Sequence, residues 1–402
     1  MRVTTGLDRL LSEPSVLTGR SFGLLSQQAA VNAEMRPAHL ALTSAGHRPD
    51  RLFAPEHGYY GVEQDMVAAA DTVDPLTGCR VVSLYGDSED SLRPAAESFT
   101  GLDLLLVDLQ DIGSRYYTYA ATAVWAASVA REAGCEIWIL DRPNPLGGVV
   151  VEGNLPECGY QSFVGAFLHP VCHGMTLGEL ALLELEVPAE QHPDVATAEG
   201  VRVWPLGGWQ RQQTWPELGR PWVAPSPNMP SYETAAIYPG MCLLEATEVS
   251  EGRGTTRPFH LVGSPEIDPN HLAEALRQLQ YPGLEVVPTY FRPQFQKHAG
   301  AVCGGVEIIV KNAAVAKAYR FGLQLLMTLR QQLGDKFQWR QAAYEFVADR
   351  PAIDLLTGSS VVRRAIDRQD CQSLTDWCDD FAAHEAAFTA HREPYLLYSE
   401  SG

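Results

Sequence analysis

A glutamate and an imidazole stand side by side in Pro55-Glu56-His57-Gly58, directly after a short apolar run. A carboxyl held in a semi-apolar cleft can keep a proton near neutral pH and deliver it to a leaving group. Glu56 is therefore read as a general acid, with His57 beside it at the substrate. The same pair would also serve as a loop ion pair with a packed hydrogen bonder. The densest polar and aromatic stretch runs from Asp108 to Tyr119, Asp-Leu-Gln-Asp-Ile-Gly-Ser-Arg-Tyr-Tyr-Thr-Tyr. Tyrosine faces stack on sugar rings, and tyrosine hydroxyls bond hydroxylated ligands. An arginine such as Arg115 can hold a carboxylate through two parallel hydrogen bonds. Asp108, Gln110, Asp111, Arg115, Tyr116 and Tyr119 are accordingly expected at a ligand. A helix N-terminus would show the same string, with Asp111 complementing the dipole and the tyrosines packed as core.

Three further strings could do chemistry. Asp141-Arg142-Pro143-Asn144-Pro145 is stiffened by two prolines and suits a preorganised binding loop contributing Asp141, Arg142 and Asn144. An internal Asp–Arg clamp is the competing reading for Arg142. In Cys172-His173-Gly174-Met175-Thr176, His173 could bind substrate or act as a base, or simply be a satisfied histidine at a helix start. Glu245, Glu248 and Glu251 recur every three residues before Gly252-Arg253-Gly254. Glycines on both sides of Arg253 let the backbone approach a ligand closely, against the alternative of a solvated acidic turn. No P-loop, no GxGxxG fingerprint and no HExxH helix is present, so neither a cofactor nor a catalytic metal is expected.

The elements that must position these strings alternate between strand and helix. Ser21 to Ser26, Val81 to Tyr85, Leu102 to Val107 and Glu136 to Leu140 read as buried strands. Ala38 to Ala45 and the Ala-rich Tyr119 to Ala133 read as helices, the latter closed by Gly134. Thr176 and Glu179 form a capping-box pattern ahead of a helix reaching Leu185. Beyond Pro265, a helix at His271 to Leu279, a strand at Gly304 to Val310 and a helix at Ala316 to Leu333 follow. The fold class is α/β: a Rossmann-like, doubly wound parallel sheet over residues 1–240, with a change of character beyond a boundary near residue 240, over 241–402. In such sheets ligands bind beyond the carboxyl ends of the strands, where the Asp108 and Asp141 clusters fall.

Composition narrows the partners. With 30 Lys+Arg against 49 Asp+Glu the formal charge is −19, the wrong sign for nucleic acid or an anionic membrane surface. No apolar run approaches the ~20 residues of a membrane helix, and Asp8, Arg9 and Glu13 interrupt any leader-like segment, so a cytoplasmic chain is expected. Eight cysteines without a CxxC pair suggest reduced, mostly buried thiols.

The strings also occur together, in order, in a known family. Pro55 to Gly58, Ser83-Leu84-Tyr85-Gly86, Asp108 to Tyr119, Asp141 to Pro145, Ser162 to Gly165, His173 to Thr176, Pro225 to Pro230, Tyr238-Pro239-Gly240 and Ser250 to Pro258 resemble the bacterial exo-β-N-acetylmuramidases, glycoside hydrolase family 171, formerly a domain of unknown function. The resemblance implies a Rossmann-like domain with a second, smaller α/β domain, 241–402, closing a cleft, and a glycosidase that releases N-acetylmuramic acid from the non-reducing ends of peptidoglycan fragments, with Glu56 as the catalytic acid. Asp111 and Glu251, beside Asp108, are candidates for the second carboxylate, unless the sugar's acetamido group takes that role. Arg115 and Arg253 are the cations expected for the lactyl carboxylate, and Asn228 joins the binding residues. The chain departs from the family pattern at Gln27-Gln28-Ala29-Ala30 and at Thr247-Glu248-Val249. A non-catalytic muropeptide-binding protein, and an amidase or esterase with His57 or His173 as base, are the alternative readings. Oligomeric state is not legible.

Overall fold

The computed structural model describes residues 3–64, 66–188, 197–198 and 200–399. Eight strands make the larger sheet: β1 (Phe22–Ser26), β2 (Arg51–Ala54), β3 (Thr72–Val73), β4 (Arg80–Ser83), β5 (Leu104–Asp108), β6 (Glu136–Leu140), β7 (Thr197–Ala198) and β8 (Val201–Trp204). Their order is β3-β4-β2-β1-β5-β6-β8-β7. The six inner strands run parallel, and the two short edge strands are antiparallel to their neighbours. From β1 the chain winds outward to β4, then returns to β1's other side as β5 and winds the opposite way. The reversal lies between β1 and β5, where Leu24 faces Leu106 and Ser26 faces Asp108. Loops leaving two such strands diverge and open a crevice at the strands' carboxyl ends.

The strands form here because their apolar runs have somewhere to go on both faces. Every residue of β1 and β5 is buried, as a doubly covered parallel strand requires. Helices α1 (Gly6–Ser12), α2 (Ala38–Ser44), α3 (Tyr119–Glu132) and α4 (Leu177–Glu184) cover the sheet. Ala123, Ala126, Ala127 and Ala130 of α3 pack in one core with Val107, Ile137 and Ile139, small side chains letting the helix sit close to the sheet. Gly134, at φ +92°, follows the end of α3. The Thr176–Glu179 capping box is formed at α4.

The remainder comprises α5 (Tyr232–Met241), β9 (Leu261–Ser264), α6 (Pro269–Gln278), β10 (Leu284–Phe291), β11 (Cys303–Val310), α7 (Ala318–Leu333) and the short helices α8 to α11 between Ala352 and Arg392. The three strands form an antiparallel sheet in the order β10-β11-β9. Pro239-Gly240, taken from sequence as the seam between two halves, lies inside α5. Gly240 is needed there: a Cβ on it would stand 1.9 Å from the Ala318 carbonyl oxygen of α7, and one on Gly322 would stand 2.3 Å from the Gly240 carbonyl oxygen. A single core runs from Leu25, Phe53 and Val107 through Tyr238 and Met241 to Val262, Val306, Leu325 and Leu326. Glu152 adds a polar tie, accepting from the Tyr319 and Arg320 amides in the first turn of α7 at 3.4 and 3.1 Å. All eight cysteines are free thiols, Cys158 and Cys371 exposed and the other six buried. Among the described residues no helix is long and apolar enough to cross a membrane.

Candidate active site

Glu56 leaves the carboxyl end of β2 and is 5% exposed. Its Oε2 accepts from the Thr118 hydroxyl at 2.8 Å, and its Oε1 from the Met66 amide at 3.3 Å. Thr118 is the residue before α3, so the loop after β5 holds the acid that emerges from β2. His57 and Gly58 both take positive φ, +72° and +74°, a turn that aims the glutamate inward. The His57 Nδ1 lies 3.0 Å from the Glu63 carbonyl oxygen, which can only accept, so Nδ1 carries the hydrogen.

Glu56 opens into a pocket that it shares with His57, Tyr116, Tyr117, Asn228 and Arg253. One wall is aromatic: Tyr117 and Tyr238 meet edge to face at 6.1 Å, and Tyr238 and Phe259 at 4.9 Å. Asn228 donates to the Gln64 side chain at 2.8 Å, joining the proline-rich 225–230 loop to the loop after β2.

Two more glutamates line the pocket. Glu245 accepts from Arg253 at 2.7 Å and from the Tyr344 hydroxyl at 2.7 Å. Glu345 accepts from the Tyr85 hydroxyl at 2.9 Å. It sits on a two-residue hairpin closed by paired Tyr344–Val347 backbone bonds, both 3.0 Å. The two central residues, Glu345 and Phe346, have φ of +46° and +68°. Such turns normally take Asn-Gly, and an ordinary side chain in this region costs roughly 1–2 kcal/mol. The hairpin keeps that strain while presenting Glu345 to the pocket.

Of the residues expected from sequence, Glu56, His57, Tyr116, Asn228 and Arg253 line this pocket. The others stand behind it, each with partners of its own. Arg142 binds Asp108 of β5, with Nη2 3.0 Å from Oδ2, rather than its neighbour Asp141, and also donates to the Val31 carbonyl, so it ties two strand ends together instead of clamping its own turn. Arg115 is corrected as a carboxylate binder: its guanidinium donates to the carbonyls of Asn154, His169 and Leu356 at 2.7, 2.7 and 2.9 Å. Asp141 receives the Thr176 hydroxyl and the Gly178 amide at the start of α4, at 2.7 and 2.8 Å. Gln110 donates to the Asp111 and Pro143 carbonyls, Asn144 donates to the Met175 carbonyl, and Tyr119 donates to the Pro225 carbonyl. These three brace loops rather than line the cavity.

Asp111 and Glu251, the expected second carboxylates, are also behind the wall. Asp111 accepts the Gly113 amide at 2.6 Å, and burial pushes its pKa up to about 7. His173 faces it at 3.7 Å, and burial holds this imidazole well below its ordinary pKa. A neutral histidine that accepts the Met175 amide at 3.2 Å is the satisfied residue of a helix approach, not a base at the pocket. Burial alone would raise the pKa of Glu251, but Lys297 at 2.7 Å and Arg253 at 3.3 Å outweigh it and hold the group ionised.

Sequence reasoning passed over Glu345, Tyr344, Tyr238, Thr118 and Ser226, all of which line the pocket. Glu245 stood in the noted three-residue repeat without being chosen. Tyr344-Glu345-Phe346-Val347 carries no turn residue, so no local signal marks it.

The family model described as "Exo-beta-N-acetylmuramidase NamZ, N-terminal" matches residues 22–233, and its C-terminal counterpart matches residues 236–398. A curated relative, the peptidoglycan β-N-acetylmuramidase NamZ of Bacillus subtilis (strain 168), is 34% identical over 99% of this chain and 92% of its own length. Two crystal structures of DUF1343 family proteins from Bacteroides fragilis NCTC 9343 are similar throughout. One has a TM-score of 0.84 at 28% identity, covering 99% of both chains; the other has 0.73 at 26%, covering all of both. With both halves matched and a curated relative aligned nearly end to end, the chain belongs to the exo-β-N-acetylmuramidase NamZ family.

Proposed function

We propose that this glycosidase of the exo-β-N-acetylmuramidase family cleaves a terminal N-acetylmuramic acid from peptidoglycan fragments, with Glu56 protonating the leaving oxygen. The observation that carries the assignment is the setting of Glu56, buried at a strand end and opening into the pocket. Among the described residues Glu56 makes no ion pair, whereas Glu251 and Asp108 do.

The substrate's own acetamide completes the reaction. Its carbonyl oxygen attacks the anomeric carbon as the bond to the leaving oxygen breaks and the Glu56 proton moves to that oxygen. The resulting cyclic oxazolinium is opened by water, which returns a proton to Glu56. Glu345 is assigned to accept the acetamide N–H, supported by its place in the pocket and by the strained turn that presents it. Tyr116 and Tyr117 offer the sugar an aromatic wall.

Replacing Glu56 by Gln keeps the shape and removes the proton. Turnover of a chromogenic β-N-acetylmuraminide is expected to fall by about two orders of magnitude or more with the melting temperature retained. Full turnover by a folded Glu56→Gln protein would refute the assignment.

A further inference from the structure

The string Ser83-Leu84-Tyr85-Gly86 supplies no residue to the pocket lining, yet one of its side chains holds a residue that does. Tyr85 follows β4 by two residues and is 1% exposed. Its hydroxyl donates to Glu345 Oε2 at 2.9 Å. Its ring centre lies 5.5 Å from that of Phe346 and 5.9 Å from that of Phe163. Glu345 and Phe346 are the two central residues of the strained hairpin, both at positive φ. One tyrosine therefore grips both, the first through its hydroxyl and the second through its ring. A left-handed pair with neither glycine nor asparagine persists only where its surroundings over-determine it, and Tyr85 supplies two of the contacts that do so.

The backbone of the same residue ties to the other carboxyl. The Tyr85 carbonyl accepts from the Ala69 amide at 3.0 Å, three residues beyond Met66, whose own amide donates to Glu56. The Ser83 hydroxyl donates to that carbonyl at 3.1 Å and accepts the Tyr85 amide at 3.2 Å, pinning the residue to the end of β4. Tyr85 thus spans from the loop that braces the acid to the hairpin that presents Glu345. Hydrolysis assisted by the acetamide depends on where these two carboxyls stand, because one must meet the leaving oxygen while the other turns the acetamide oxygen on to the anomeric carbon. A phenolic O–H on a carboxylate also favours its ionised form, the form that accepts an N–H.

We propose that Tyr85 is a positioning residue for the reaction: it fixes Glu345 as the ionised acceptor of the acetamide N–H and sets its place relative to Glu56. The inference rests on the reading of the pocket in which Glu345 orients the acetamide.

The test is a double-mutant cycle on turnover of a chromogenic β-N-acetylmuraminide, with Tyr85→Phe, Glu345→Gln and the two combined. Tyr85→Phe keeps the packed ring and removes the hydroxyl. Its kcat is expected to fall about tenfold, the size of one hydrogen bond to a charged group, with KM within about twofold of wild type. Glu345→Gln is expected to lose about two orders of magnitude in kcat. Because Tyr85 acts through Glu345, the combined variant falls no further than Glu345→Gln alone, whereas a merely structural tyrosine would give losses that multiply. The bicyclic thiazoline of N-acetylmuramic acid, which copies the cyclic intermediate, adds a binding readout. Tyr85→Phe should weaken its inhibition about tenfold and leave the Kd of free N-acetylmuramic acid unchanged. Wild-type kcat in Tyr85→Phe beside a slow Glu345→Gln overturns the proposal alone, as do losses that multiply. Wild-type turnover by Glu345→Gln removes the acetamide reading and the proposal together. Melting curves verify folding. Should Tyr85→Phe not fold, Phe346→Leu loosens the other grip on the same ring; its kcat is expected to drop about two- to tenfold, the size of one aromatic contact, and an unaltered kcat there overturns the proposal.

Discussion

Carboxylates occupy two tiers of this molecule, and their partners differ in kind. In the tier behind the pocket, Asp108 is clamped by Arg142, Glu179 by Arg211 at 2.6 Å, and Glu251 by Lys297 and Arg253. At the pocket, Glu56 is held by a threonine hydroxyl and a backbone amide, and Glu345 accepts a tyrosine hydroxyl. Ion-paired groups are fixed in one protonation state and build a frame. Glu56 is positioned instead by a hydroxyl and an amide. Being polar and buried does not mark a reacting group here, and neither does the donor alone: Glu245 lines the pocket yet pairs with Arg253, and Asp141 behind it is held by a hydroxyl and an amide.

The comparison can be broken most forcefully at Glu56, where glutamine is expected to remove two or more orders of magnitude of turnover and little stability. The opposite result is expected from Arg142→Met. It strands Asp108 as a buried charge, so denaturant melts should show a loss of about 3–5 kcal/mol, while any folded fraction keeps its KM. Should Arg142→Met instead leave stability intact and raise KM, the rear tier is part of the binding site. Thr118→Val is expected to act more mildly. Removing one hydrogen bond of ~1 kcal/mol should lower kcat/KM by about five- to tenfold, with a smaller change in melting temperature. A further effect is in pH dependence. Burial holds the pKa of Asp111 at about 7, against 3.8 for the free residue, so between those values the folded state keeps a proton that the unfolded state has released. Stability from this group therefore falls as pH rises from about 4 to about 7, and is level above. Asp111→Asn should flatten that slope in melts across the range; an unaltered slope would show that Asp111 does not titrate there.

Much of the fold could be read before any coordinates, because buried parallel strands are continuous apolar runs and Ala-rich or capped segments announce helices. β1, β5, β6, α3 and α4 fall where those patterns put them. β10 escaped because Pro288 interrupts it, a proline tolerated on the outer strand of the small sheet. α5 was hidden by Pro239. The site was half legible for a related reason. Glu56 follows a strand and could be located from it, whereas Asn228 was reached only through the family's strings. An arginine that donates to carbonyls is spelled the same as one that awaits a ligand, so Arg115 was placed wrongly. Glu345 depends on a turn with neither glycine nor asparagine, and on a tyrosine about 260 residues away in sequence. Only tertiary contact brings those groups together.

The close passage of α5 against α7 has a consequence for modularity. The backbones touch at Gly240 and Gly322, where no side chain can be inserted. A cut near that point would divide the family's two sequence halves cleanly yet leave each fragment with an open apolar flank. The halves can be aligned separately, but they are built to melt together, and neither is a module that could be transplanted alone.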